Sequence, residues 1–170
     1  MGEKEFWKII GKANWKFTGD DDKVLAPVID ALSKLDDKAI FGFEDMMSKL
    51  LYDIDSQEIA LQLYGDQYFS GDLFLYQRCV ALINGAKYYK SILTGKEKLN
   101  PDLEFEAILY VPHRAWAKKH QADPGDYPHF PGIRYETGSN EKQWTVDSIS
   151  KSAPLFPWAR FGSCIRNSCY

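Results

Sequence analysis

The chain is poor in the residues that most directly announce chemistry. Its 170 residues include only three histidines, three cysteines and three methionines. Cys79 lies in an apolar stretch, and Cys164 and Cys169 fall near the end. An odd number with one enclosed argues against a disulfide framework and fits a reducing compartment. No apolar run approaches the roughly 20 residues that span a bilayer. The start, Met1-Gly2-Glu3-Lys4-Glu5-Phe6-Trp7, has the shape neither of a signal peptide nor of a myristoylation signal. These features predict a cytoplasmic protein with no membrane contact. There is also no excess of basic charge: 21 Lys and Arg stand against 24 Asp and Glu, for a net charge of -3. Without a basic stripe, nucleic acid is disfavoured as a partner, because such binding depends on clustered cations that displace counterions.

Catalytic signatures are missing as well. No Gly-x-Ser-x-Gly elbow, paired zinc-type cysteines or phosphate-cradling glycine loop occurs; Gly95-Lys96 lacks the upstream glycine and the following Ser or Thr. No cofactor is expected.

Large rings and helical periodicity are plentiful. Ten Tyr, ten Phe and five Trp make 15% of the chain aromatic, which predicts a core built on rings, with an aromatic binding surface as the alternative. Phe6, Ile9, Ile10, Ala13 and Phe17 mark a first helix stopping near Gly19. Asp20-Asp21-Asp22 reads as loop and cap. Leu25, Val28, Ile29, Leu32 and Leu35 mark a second helix, starting or kinked near Pro27. Asp36-Asp37 caps a third, with Ile40, Phe43, Met46, Met47, Leu50, Leu51 and Ile54 on one face. A shorter helix ends at Gly65.

From Asp72 to Leu93 the pattern is apolar almost all round, so this is the predicted central helix, with Asp72 as its N-cap and Gly95 as its stop. Asn100-Pro101-Asp102 reads as another helix start, carrying Phe105, Ile108 and Leu109 as far as Pro112, with Ala115 to His120 resuming it. Beyond His120 come five of the eight prolines and repeated aromatic residues without periodicity. The expectation is one all-α domain, a bundle of six or seven helices over 1–120. An irregular aromatic-rich wrap covers 121–170, with a short turn from Asp147 to Ser150.

Two constellations could carry a site. Arg78 is the one basic residue between Leu73 and Ala86 in the enclosed helix. A buried cation needs a partner, and Glu44, Asp45 and Asp66 are the carboxylates considered. The structural reading is a buried ion pair; the functional one is a ligand pocket drawing on Asp66, Asp72, Tyr76 and Arg78. The second constellation is His120, Asp123, Asp126 and His129, ligand-type side chains three residues apart. Asp123-Pro124-Gly125-Asp126 is equally a common turn sequence, which is the preferred reading, with a metal-binding loop at 120–129 the weaker alternative.

The order of motifs resembles a known family. Phe6-Trp7-x-Ile9-Ile10 is followed by Ile40-x-x-Phe43-Glu44 with Leu50-Leu51. Then come Ser70-x-Asp72-x-Phe74-x-Tyr76-x-Arg78 closed by Gly85, Asn100-Pro101-Asp102-Leu103, Leu109-Tyr110-Val111 and Trp158-Ala159-Arg160-Phe161-Gly162. Together they resemble the bacterial domain of unknown function 4240. The chain departs from that pattern at Tyr64 to Phe69, where a glycine-rich turn is expected, and in the tail after Gly162. The resemblance implies a small helical bacterial domain and brings no activity or site residues. The expected function is a non-catalytic cytoplasmic protein-binding module whose partner is another protein, such as a toxin-neutralising immunity protein. The alternative is a ligand-binding domain or enzyme with a pocket around Arg78.

Overall fold

The computed structural model describes residues 1–144. The turn expected at Asp147 to Ser150, Cys164, Cys169 and the rings from Phe156 onward lie outside the described residues. Within them the protein is all-α, seven α-helices and four short 3-10 turns, with no strand.

Side chains that start helices account for most boundaries. α1 covers Glu3–Ile10 and buries Phe6, Ile9 and Ile10. It does not run on to Gly19: the chain breaks at Gly11, and Asn14 starts a separate 3-10 turn, Trp15–Phe17, by accepting the Lys16 N–H. That break turns Phe17 out of the core, 45% exposed. α2, Asp21–Ser33, is capped by Asp20, with Asp21 and Asp22 in its first turn, where the helix dipole favours negative charge. It starts well before Pro27, which lies inside it. α3, Asp37–Asp53, is capped by Asp36 at 2.7 Å and buries Ile40, Phe43, Met47, Leu50 and Leu51, with Ile54 buried just beyond its end. α4, Gln57–Tyr64, is capped by Ser56.

α5, Gly71–Ile83, is the enclosed helix: every residue from Gln77 to Ile83 is buried. Its N-cap is Ser70, whose hydroxyl accepts the Leu73 N–H, and not Asp72, which is exposed in the first turn. The expected continuation to Leu93 is interrupted at Gly85. There φ is +88°, a conformation that side-chain-bearing residues resist, and α6, Ala86–Leu93, begins in a new direction.

Asn100-Pro101-Asp102 starts no helix. The Asn100 side chain accepts the Asp102 N–H at 2.9 Å in a local turn, and the Pro101 carbonyl accepts from buried Gln77 at 2.8 Å. Helical structure returns as a 3-10 turn, Glu106–Tyr110, leading into α7, Val111–His120, with Pro112 in its first turn, where a missing N–H costs nothing. α7 packs across α2 and α3, and α3 lies against α5. After α7 the chain doubles back along α3, bringing loop 128–141 to the site described next. No helix among the described residues is long and apolar enough to cross a membrane.

Candidate functional site

A helix leaves its last four carbonyls without intrahelical partners, and burial makes that costly. At the C-terminus of α3 side chains from other elements reach three of them. The Leu50 carbonyl accepts from the Tyr89 hydroxyl at 2.9 Å, and the Leu51 carbonyl from Arg78 Nη1 at 2.8 Å. The Tyr52 carbonyl accepts from Asn140 Nδ2 at 3.0 Å. A cation at this end also complements the helix dipole.

Arg78 reaches further. Its Nη2 donates to the Tyr135 carbonyl at 3.0 Å and to Thr137 Oγ1 at 3.1 Å, and that hydroxyl donates onward to the Gly71 carbonyl at 2.6 Å. The opposite charge is Asp55, in the turn between α3 and α4, with an oxygen 3.7 Å from Nη2. Asp55 accepts the backbone N–H of Gly138 at 3.3 Å and of Asn140 at 3.1 Å, while its own carbonyl accepts from Trp144 Nε1 at 3.1 Å. Burial pulls the Arg78 guanidinium below its ordinary value and the Asp55 carboxylate works against that pull. The guanidinium also lies over the Phe74 ring, 5.0 Å from its centroid.

The upstream end of the loop is fastened to the other half of α3. His129 places Nε2 2.8 Å from an Asp45 oxygen and stacks on Phe41, with centroids 4.8 Å apart and planes 12° apart. Between these fastenings Phe130 is 85% exposed and Ile133 40% exposed. The outer face of the loop forms an open groove of about 580 Å³, edged by Tyr52, Ile133, Arg134, Glu136, Ser139 and Glu141.

The residues singled out from sequence are scattered around this arrangement. Arg78 pairs with Asp55 and not with Glu44, Asp45 or Asp66. Its side chain is wholly enclosed and does not line the groove, though Thr137, which it bonds, does. Asp66 lies in the exposed loop after α4, and Asp72 at the exposed start of α5. Tyr76 faces Glu106, and its hydroxyl is pushed up to about 12 by burial and by that carboxylate. None of Asp66, Asp72, Tyr76 and Arg78 lines the groove.

The four ligand-type residues of 120–129 do not converge either. His120 meets Asp37 at 3.0 Å, His129 meets Asp45, and Asp123 accepts the Gly125 N–H at 2.7 Å in its own turn. Asp126 is exposed, and among the described residues no three His, Cys, Asp or Glu side chains are grouped to hold a metal ion. The histidines fasten this segment to α3 instead. His113, the third, has Nε2 3.6 Å from Glu44 Oε1, so all three meet carboxylates of that one helix. Glu44 is buried, and burial raises its carboxyl above the ordinary range despite the opposing pull of Tyr127 and His113.

Asp55, Thr137 and Asn140 escaped sequence reasoning, and Phe130, one of the rings expected to pin the wrap onto the bundle, is instead turned out to solvent. Asp55 sits beside Ser56, the cap of α4, and reads as ordinary turn chemistry. Phe130 carried a usable signal. Lying in Pro128-His129-Phe130-Pro131-Gly132, it belongs to no helix that could bury it.

Fold and site together define an all-α domain whose buried charge pair holds an irregular surface loop. Within that class the chain belongs to the family described as "Protein of unknown function (DUF4240)", whose model matches residues 1–118. The matched stretch contains both Asp55 and Arg78 and ends within α7, before the loop they hold and before Trp158 to Gly162. No curated protein and no solved structure matches the chain.

Proposed function

We propose that the chain is a non-catalytic protein-binding module, acting in the cytoplasm as an immunity-type protein does by covering a partner's surface, and that loop 128–141 is its binding face. The observation that carries this reading is Phe130, an aromatic side chain 85% exposed on a loop fastened at both ends. Burying such a ring is worth about 1.5–3 kcal/mol, and aromatic anchors dominate interface energetics. A loop already ordered by Arg78, Asp55 and His129 loses little further freedom on binding, so more of that gain reaches the affinity. Ile133 extends the apolar contact, and Arg134, Glu136 and Glu141 supply a charged rim. The best nucleophile among the described residues does not compete with this reading: Cys79 is buried, its thiol pushed up to about 12.

A photo-crosslinking residue at position 130, compared with one at exposed Leu61 on α4, tests the proposal in extract of the source organism. One protein captured from position 130 and not from 61, and lost on Ile133→Asp with an unchanged melting temperature, is the expected result. Identical capture at both positions, or none at 130, contradicts it.

A further inference from the structure

A second surface lies away from loop 128–141 and shares no residue with it. α1 and the C-terminal half of α2 diverge to leave a furrow of about 450 Å³, with Ile9, Ala31 and Leu35 contributing its apolar lining. One rim is a row of lysines, Lys4, Lys8 and Lys12, and one carboxylate, Glu5, also lines the furrow. Lys4 and Lys8, four residues apart, stand one above the other on α1, roughly 6 Å apart at 1.5 Å per residue, and Lys12 follows in the turn just past its end. None of the three has an ion pair among the described residues, whereas Lys23, Lys49, Lys118 and Lys119 each have one. In a chain with a net charge of -3, this is a local excess of positive charge beside recessed apolar surface.

We propose that this furrow docks an acidic amphipathic segment of a partner protein, its apolar residues seated on Ile9, Ala31 and Leu35 and its carboxylates facing Lys4, Lys8 and Lys12. Apolar anchors in a groove with complementary charge along the edge are the usual requirements of helix-in-groove recognition. A membrane surface fits less well. Ile9 is only 5% exposed, so the apolar lining is recessed, and side chains must be inserted to reach it.

The test is selection from a random peptide library on the purified full chain, with the triple variant Lys4→Glu, Lys8→Glu, Lys12→Glu in parallel. All three lysines are exposed, so the variant should melt with the parent. The expected peptides carry acidic residues beside an apolar pair at helical spacing. They bind the triple variant about tenfold more weakly or worse, weaken as salt rises, and shift the Ile9 and Leu35 methyl resonances. No enriched peptide, neutral or basic peptides, or equal binding by the variant overturns the proposal. So does lysine-dependent binding to phosphatidylserine vesicles that no selected peptide displaces. Crosslinking from position 130 is expected to survive the charge reversal, so failure here leaves the loop reading standing.

Discussion

The Arg78 guanidinium and the Asp55 carboxylate lie 3.7 Å apart, each side chain wholly enclosed, and they hold one loop by opposite means. The cation takes the loop's acceptors, the Tyr135 carbonyl and the Thr137 hydroxyl. The anion takes its donors, the N–H groups of Gly138 and Asn140. Two enclosed charges of this kind are costly unless their remaining bonding capacity is satisfied. Here backbone carbonyls take two guanidinium bonds and backbone N–H groups meet both carboxylate oxygens, while Arg78 Nε is buried without a hydrogen-bond partner among the described residues.

Loss of either charge should therefore be severe. Arg78→Met and Arg78→Ala each leave Asp55 buried without its counter-charge and are expected to cost ~3–5 kcal/mol by urea unfolding. The double variant Arg78→Met with Asp55→Leu removes both charges and also abandons the bonds to the loop and to the Leu51 carbonyl. It should stay at least ~2 kcal/mol below the parent. Recovery to parental stability would show that the pair holds only itself.

Glu44 gives a pH dependence of definite sign. Burial raises its carboxyl above the reference value of 4.5, so the folded protein holds this proton more tightly than the unfolded chain. Its contribution to stability is fully present below that value and is lost as pH rises through the higher folded value. Glu44→Gln should then be more stable than the parent near neutral pH, with the difference closing in acid. A Gln variant that melts lower at neutral pH would show that Tyr127, His113 and His129, which all favour the carboxylate, together outweigh burial.

Cys79 should be chemically silent. With Cys164 and Cys169 replaced by serine, a thiol reagent should label nothing until denaturant unfolds the chain, because the remaining sulfur is buried and its thiol is pushed up to about 12. Labelling at native rates would mean that α5 opens far more readily than its packing allows.

How much of this was legible in the sequence follows the range of the interactions. Asp20 and Asp36 act within three residues of themselves, so a local pattern suffices to read them; Ser56, a cap of the same kind, was open to the same reading. The enclosure of α5 is equally plain from its lack of polar surface. Where two local signals competed, sequence misled: Ser70 and Asp72 can both cap α5, and Asn100-Pro101-Asp102 looks like a helix start until Gln77 takes the Pro101 carbonyl. The site itself depends on distant partners. Arg78 announced a buried charge, but its bonds run to Leu51, Asp55, Tyr135 and Thr137, separations of 23 to 59 residues that no spacing rule encodes. His120 and His129 resembled metal ligands because their real partners, Asp37 and Asp45, lie more than 80 residues upstream.

The central claim, that buried charges fix a surface loop, is tested most directly by amide hydrogen exchange on the unmodified chain. The N–H groups of Gly138 and Asn140, held by Asp55, should exchange as slowly as the amides of α5. Those of Gly132 to Arg134, on the exposed part of the same loop, should exchange far faster. Exchange at Gly138 and Asn140 as fast as at Gly132 to Arg134 would contradict the account.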